Sequence, residues 1–144
     1  MKLLDKEIEI LIKERCNNWE EAIDKVSLPL LKKNKITSQY ISVMKKFNID
    51  YNAYFVIAKG VALVHARPEN GVIEPGISIM TLEKPVNFGN AENDPVSIVF
   101  CIASISKSDH IDILKFIMKL LDDENKLHYM LNVKNKNEMK KIFN

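Results

Sequence analysis

In "GVALVHARPENG", Gly60 to Gly71, an apolar run of β character takes on His65 and then Arg67 before a Pro/Asn/Gly turn. The two-residue period of a strand puts Val61, Leu63 and His65 on one face. On position alone, His65 reads equally well as a core histidine satisfied by a backbone carbonyl. Arg67 shifts the balance. Of 21 lysines and arginines only Arg15 and Arg67 are arginines, so a planar donor fork beside a histidine suggests a grip on a carboxylate or phosphate. An ion pair with Glu69 or another carboxylate is its structural alternative.

The second informative histidine lies in "SISKSDHIDIL". Ser106 and Asp109 fit the S-x-x-D capping box, with Ser108 a competing cap, so His110 falls in the first turn of a helix. It precedes Ile113, Leu114 and Ile117 at helical spacing and so faces the sheet. A helix N-terminus favours a nearby anion and keeps an adjacent imidazole neutral. Read structurally, His110 is a half-buried residue bonded to strand backbone. His128, in "NKLHYMLN", has no acid or cap signal nearby and reads as a helix-surface or packing residue.

Two neutral imidazoles, an arginine and a helix start suit phosphoryl transfer. A ring nitrogen attacks phosphorus and holds the group as a phosphoramidate, while the other groups spread the oxygen charge. No Gly-rich phosphate loop is needed if the phosphoryl group arrives on another protein. A metal-dependent hydrolase using His65, His110 and Asp109 is the competing chemistry, but their spacing matches no standard motif and HExxH is absent.

The elements that must position these residues are legible. "IEILI" (8–12) is an edge strand or a helical turn. "NNWEEAIDKVSLPLLKKN" is a helix with an Asn cap and acidic first turn, and Pro29 is expected to kink it or start a second piece. "TSQYISVMKKFNI" is another, with Tyr40, Met44 and Phe47 on one stripe and Thr37 or Ser38 as cap. "AYFVIA", "GVALVHA", "GISIMTL" and "VSIVFCIASI" are strands bounded by Gly and Pro. "EKPVNFGNAENDP" (83–95) reads as a polar loop. Helices return with "SDHIDILKFIMKLL" and "DDENKLHYMLN". The tail "NVKNKNEMKKIFN" is a solvated amphipathic helix with Val133, Met139, Ile142 and Phe143 facing in. This order predicts an α/β three-layer sandwich, a mixed central sheet of about five strands with helices on both faces.

At 144 residues, 47% apolar and 28% charged, the chain reads as one soluble domain, 1–144. A net charge of +2 does not argue for nucleic acid or an anionic membrane. Cys16 and Cys101 form no CxxC pair and suggest a reducing compartment. "MKLLDKEIEILIKERC" is broken by charges too often for a signal peptide or membrane span, so a cytoplasmic location is expected.

"GVALVHARPENGV", "LEKPVNFGNAENDPVSIVFCIAS" and "SKSDHIDIL" together resemble the Enzyme IIA proteins of the bacterial phosphoenolpyruvate-dependent sugar phosphotransferase system (PTS). The likeness is to the mannitol/fructose-type superfamily and, within it, to the ascorbate-type branch. It is specific from Gly60 to His110 and diffuse on either side. The resemblance implies that His65 is the phosphorylated nucleophile, through Nε2, and that His110 is the supporting histidine. Arg67 matches the arginine of the family's H-A-R-P, and its chemistry suits a phosphate contact. The implied donor is phospho-HPr and the implied acceptor a cysteine of Enzyme IIB, itself associated with the membrane Enzyme IIC. No metal and no cofactor are implied, and a homodimer is a default possibility. Val64 departs from the family's usual proline, and the Arg-Glu pair of mannitol and fructose members is not evident around "NIDYNAYFV". A regulatory relative, in which phosphorylation only alters a binding surface, is the second reading; a two-histidine site in a free-standing domain favours the carrier.

Overall fold

Runs that are apolar at nearly every position need partners on both faces of the sheet they form. A computed structural model describes residues 8–143 of the chain; the charged start of the sequence, residues 1–7, and the final residue lie outside them. Five strands, β1 (Glu9–Glu14), β2 (Val56–Ala58), β3 (Val61–Val64), β4 (Gly76–Val86) and β5 (Val96–Ala103), form one sheet in the order β1-β4-β5-β3-β2. It is mixed: β1 runs parallel to β4 and β3 parallel to β5, while the β4–β5 and β2–β3 pairs are antiparallel.

Alternation along the central strands feeds two cores. Ala62, Val64, Met80, Val99 and Cys101 pack under α1 (Trp19–Lys32) and α2 (Ser38–Asp50). Val61, Leu63, Ile79, Ile98, Phe100 and Ile102 pack on the other face, against Ile113 and Ile117 of α3 (Lys107–Asp122), Met130 of α4 (Glu124–Asn132) and Met139 of α5 (Lys136–Lys140). This is the three-layer sandwich expected from the sequence.

The ambiguous "IEILI" is an edge strand, in register with Ser78 to Met80 of β4. Asn18 caps α1 through its side chain, accepting from the Glu21 amide at 2.9 Å. Pro29 does not divide the helix as expected: α1 runs unbroken to Lys32. Only one intrahelical donor is missing near the end, and Val26 and Leu30, both buried, hold the last turns on the sheet. Residues 83–86 are not loop but the end of β4, because Val86 is buried opposite Val96; the intervening Glu83, Lys84 and Pro85 are exposed. The tail is not one helix: Val133 ends α4, Asn135 caps the short α5, and a 3-10 turn spans Lys141–Phe143.

The loop after β4 braces the strand that leads to His65. The Asp94 carboxylate accepts from the amides of Phe88, Gly89 and Asn90 at 3.0, 2.8 and 2.9 Å. The loop so gathered bonds the β2–β3 hairpin: the Asn93 side chain donates to the Val56 carbonyl (3.1 Å), and the Gly60 amide donates to the Asn93 carbonyl (2.9 Å). Gly60 turns the hairpin at φ +75°, a conformation that disfavours side chains.

Asp94→Ala leaves three amides without their shared charged acceptor. The variant is expected to lose about 2 kcal/mol of unfolding free energy in urea titrations; an unchanged midpoint would show that the loop does not depend on this carboxylate.

Candidate functional site

The parallel pairing of β3 with β5 decides where the site lies. Val61, Ala62, Leu63 and Val64 pair in register with Ile98, Val99, Phe100 and Cys101, so both strands end on the same edge of the sheet. His65 follows the first strand end. Ser104 and the start of α3 follow the second.

His65 is half-buried, and its Nδ1 lies 2.9 Å from the Leu63 carbonyl oxygen. A carbonyl only accepts, so Nδ1 carries the proton and the Nε2 lone pair remains free. The ring is held edge-on to Tyr54 and tilted against Phe55 and His110, with centroid separations of 5.7, 5.3 and 5.5 Å. Burial lowers its pKa below the ordinary 6.5; the Leu63 bond opposes that shift, and the nearby His110 adds to it.

Ser106, not Ser108, caps α3, its hydroxyl accepting from the Asp109 amide at 3.2 Å. His110 lies in the first turn, as expected. It faces inward far enough for its Nδ1 to stand 3.3 Å from the hydroxyl of Ser104, which is buried. Burial lowers its pKa as well. The two imidazoles are therefore adjacent, both biased towards the neutral form, and 45 residues apart in sequence (110 − 65).

They open into a cleft of about 810 Å³, walled by Phe47, Tyr51 and Tyr54 on one side and by residues 104–107 on the other. Arg67 and Lys107 stand on its rim. Arg67 is exposed, opens the 3-10 turn Pro68–Asn70, and among the described residues makes no ion pair, with Glu69 or any other acid. Its backbone amide donates to the Asn70 side-chain oxygen at 3.0 Å. Asp109, grouped with the histidines in the sequence reading, does not line the cleft. Among the described residues no three His, Cys, Asp or Glu side chains gather as metal ligands. His128 is exposed on α4 beside Asn132, and Cys101 is buried.

Val64, in the place of the family's usual proline, is buried in the core under α1 and α2 and extends the β3–β5 pairing to Cys101. Three contributors escaped the sequence reading. Tyr54 and Phe55 were legible only as β-rich residues. Ser104 had no signal beyond its place at the end of an apolar run.

The chain matches the family profile "Phosphoenolpyruvate-dependent sugar phosphotransferase system, EIIA 2" over residues 2–144. It is 33% identical over 145 residues to the mannitol-specific cryptic phosphotransferase enzyme IIA component of Escherichia coli K12, covering 99% of this chain and 97% of that one. The solution structure of that E. coli protein superposes with a TM-score of 0.88 at 32% identity, over 99% and 98% of the two chains. The ascorbate-specific PTS EIIA component of Salmonella typhimurium is 35% identical over 129 residues, covering 86% and 83%. The fold is shared, at 21% identity and a TM-score of 0.78, with the E. coli complex of enzyme IIA and phosphorylated enzyme IIB for mannitol, over 94% and 93% of the chains. Mannitol-type and ascorbate-type relatives stand equally near, so similarity does not select a sugar. With the two-histidine cleft at the sheet edge, these matches make the chain a member of the EIIA 2 family of phosphoryl carriers of the phosphoenolpyruvate-dependent sugar phosphotransferase system.

Proposed function

We propose that His65 accepts a phosphoryl group from phospho-HPr on Nε2 and passes it to a cysteine of an Enzyme IIB, the step before sugar uptake and phosphorylation through a membrane Enzyme IIC. The observation that carries this is the Nδ1 bond to the Leu63 carbonyl, which leaves Nε2 as the unprotonated nitrogen. The Nε2 lone pair forms the N–P bond as the P–N bond to the donor histidine breaks. In the second transfer the acceptor thiolate displaces Nε2, which recovers its lone pair. His110 and Arg67 attend the phosphoryl oxygens: the first is adjacent to the nucleophile, the second free to swing from the rim. Lys107 at the start of α3 adds positive potential on the same side.

The whole chain, 1–144, acts as one cytoplasmic unit; among the described residues no helix is long and apolar enough to cross a membrane. The absence of an evident Arg-Glu pair around "NIDYNAYFV" favours an ascorbate-type system over a mannitol or fructose one.

Incubation with phosphoenolpyruvate, Enzyme I and HPr is expected to add one acid-labile phosphate by intact mass, mapping to the peptide that contains His65. His65→Ala should take up none, while His110→Ala should still be labelled but deliver phosphate to Enzyme IIB slowly. Full labelling of the His65 variant would remove the assignment.

The lowered imidazole pKa values give a pH prediction. Because His65 stays neutral below the ordinary value of 6.5, its rate of phosphoryl acceptance should remain flat from pH 8 to below 6.5 and fall only under that. Stability follows the same sense. As pH drops from 6.5, the unfolded chain protonates these histidines before the folded one does, so folding free energy is full above 6.5 and declines below it. Histidine NMR titrations check both: a His65 midpoint above 6.5 would contradict the burial argument.

A further inference from the structure

Tyr40 is fully buried on α2, yet its hydroxyl bonds the backbone of two separate segments at once. It accepts from the Ala66 amide at 2.9 Å and lies 2.7 Å from the Ile102 carbonyl, to which it donates. Ala66 follows His65 directly. Ile102 lies two residues before Ser104, whose hydroxyl meets Nδ1 of His110. One oxygen atom thus joins the segment after the proposed nucleophile to the strand end that leads to its neighbour.

Its own placement is over-determined. Gly71, at φ +131°, lies so close to α2 that a Cβ there would collide with Thr37 and crowd Tyr40. The Gly71 carbonyl accepts from the amide and the hydroxyl of Thr37 at 3.0 and 3.3 Å. The far end of the 65–71 segment is therefore pinned to the first turn of the same helix, and Tyr40 pins the near end. Burial raises the Tyr40 pKa far above the usual phenol range, so the hydroxyl keeps its proton and can both donate and accept.

We propose that Tyr40 is a positioning residue for phosphoryl transfer: its hydroxyl holds His65 and His110 at their working separation without touching the phosphoryl group. The inference rests on the proposed role of His65. Without the hydroxyl, the Ala66 amide and the Ile102 carbonyl lose their common partner, the 65–67 segment loosens, and Nε2 is no longer held in line with the incoming phosphorus. Misplacement of that kind acts on the chemical step rather than on docking.

The test compares Tyr40→Phe with Tyr129→Phe, using phosphorylated HPr as donor at a temperature where both variants are folded by circular dichroism. Tyr129 also donates a phenol proton to a backbone carbonyl, that of Glu138 at 2.7 Å, but between α4 and α5 on the other side of the sheet. Tyr40→Phe is expected to lower kcat for phosphoryl acceptance about tenfold with KM for phospho-HPr unchanged. Its His65 titration midpoint should also rise towards 6.5 as water reaches the ring. Tyr129→Phe should leave kcat and the midpoint at wild-type values. Equal kcat in Tyr40→Phe and wild type, or equal losses in the two variants, overturns the proposal. Hydrogen exchange on the wild-type protein covers the case in which Tyr40→Phe does not fold: the Ala66 amide should exchange as slowly as those of β3, and exchange at the rate of an open loop overturns the clamp. A wild-type protein that takes up no phosphate rejects the role of His65 instead, so the two failures are distinguishable.

Discussion

A single hydrogen bond, from Nδ1 of His65 to the carbonyl of Leu63, fixes which nitrogen of that ring is left with a lone pair, and the proposed transfer depends on it. Because the acceptor is a carbonyl, the tautomer is set by the backbone and not by solution conditions near neutrality. The remaining nitrogen, the nucleophile of the proposed transfer, is uncharged and keeps its lone pair. Aromatic rings on two sides keep its direction, since Tyr54 and Phe55 leave the imidazole little room to rotate. Their burial of the ring also disfavours the imidazolium, which has no lone pair to offer.

That hydrogen bond exists only because β3 ends where it does. β3 is short, four residues, and pairs with β5 along its whole length. Parallel neighbours deliver their C-terminal ends to one edge, which is where open α/β sheets place their ligands. The antiparallel β2–β3 hairpin and the loop gathered by Asp94 prevent β3 from sliding, and a one-residue slip would invert its faces. Site geometry is thus inherited from sheet topology: residues distant in sequence become adjacent because two strands run side by side in the same sense.

The histidine, the arginine, the Ser106 cap and the inward tilt of His110 were legible in the sequence because each depends on local rules, strand alternation or helical spacing. The two-faced sheet was legible for the same reason, its strands being apolar throughout. What escaped depends on contacts between distant segments. Tyr40 on the buried stripe of α2 gives no hint that its hydroxyl spans to residues 66 and 102. Residues 83–86 looked like loop because Glu, Lys and Pro outweighed one valine, yet that valine finds Val96 across the sheet and the strand continues. Pro29 misled in the opposite direction: a local rule predicted a break, and packing of Val26 and Leu30 overrode it. The tail divided because Asn135 offered a new cap, its side chain accepting from the Glu138 amide at 2.9 Å, which amphipathic spacing alone did not weigh.

A carrier must take its cargo and release it, and the distribution of charge in the cleft suits that requirement. The rings beside His65 are aromatic and neutral, whereas the cations nearby, Arg67 and Lys107, are exposed residues of the cleft's lining. Fixed, buried cations around the phosphoryl group would stabilise the bound state as much as the transition state, and so would deepen the well without speeding either transfer. Solvent screens an exposed guanidinium until a partner covers the cleft and excludes water, at which point its attraction for the transferring oxygens rises. In the proposed mechanism the strongest electrostatic help therefore arrives with the partner, whether donor or acceptor, and is withdrawn when it leaves. On that reading, a cleft proposed to hold a dianionic group needs little permanent positive charge beside Nε2.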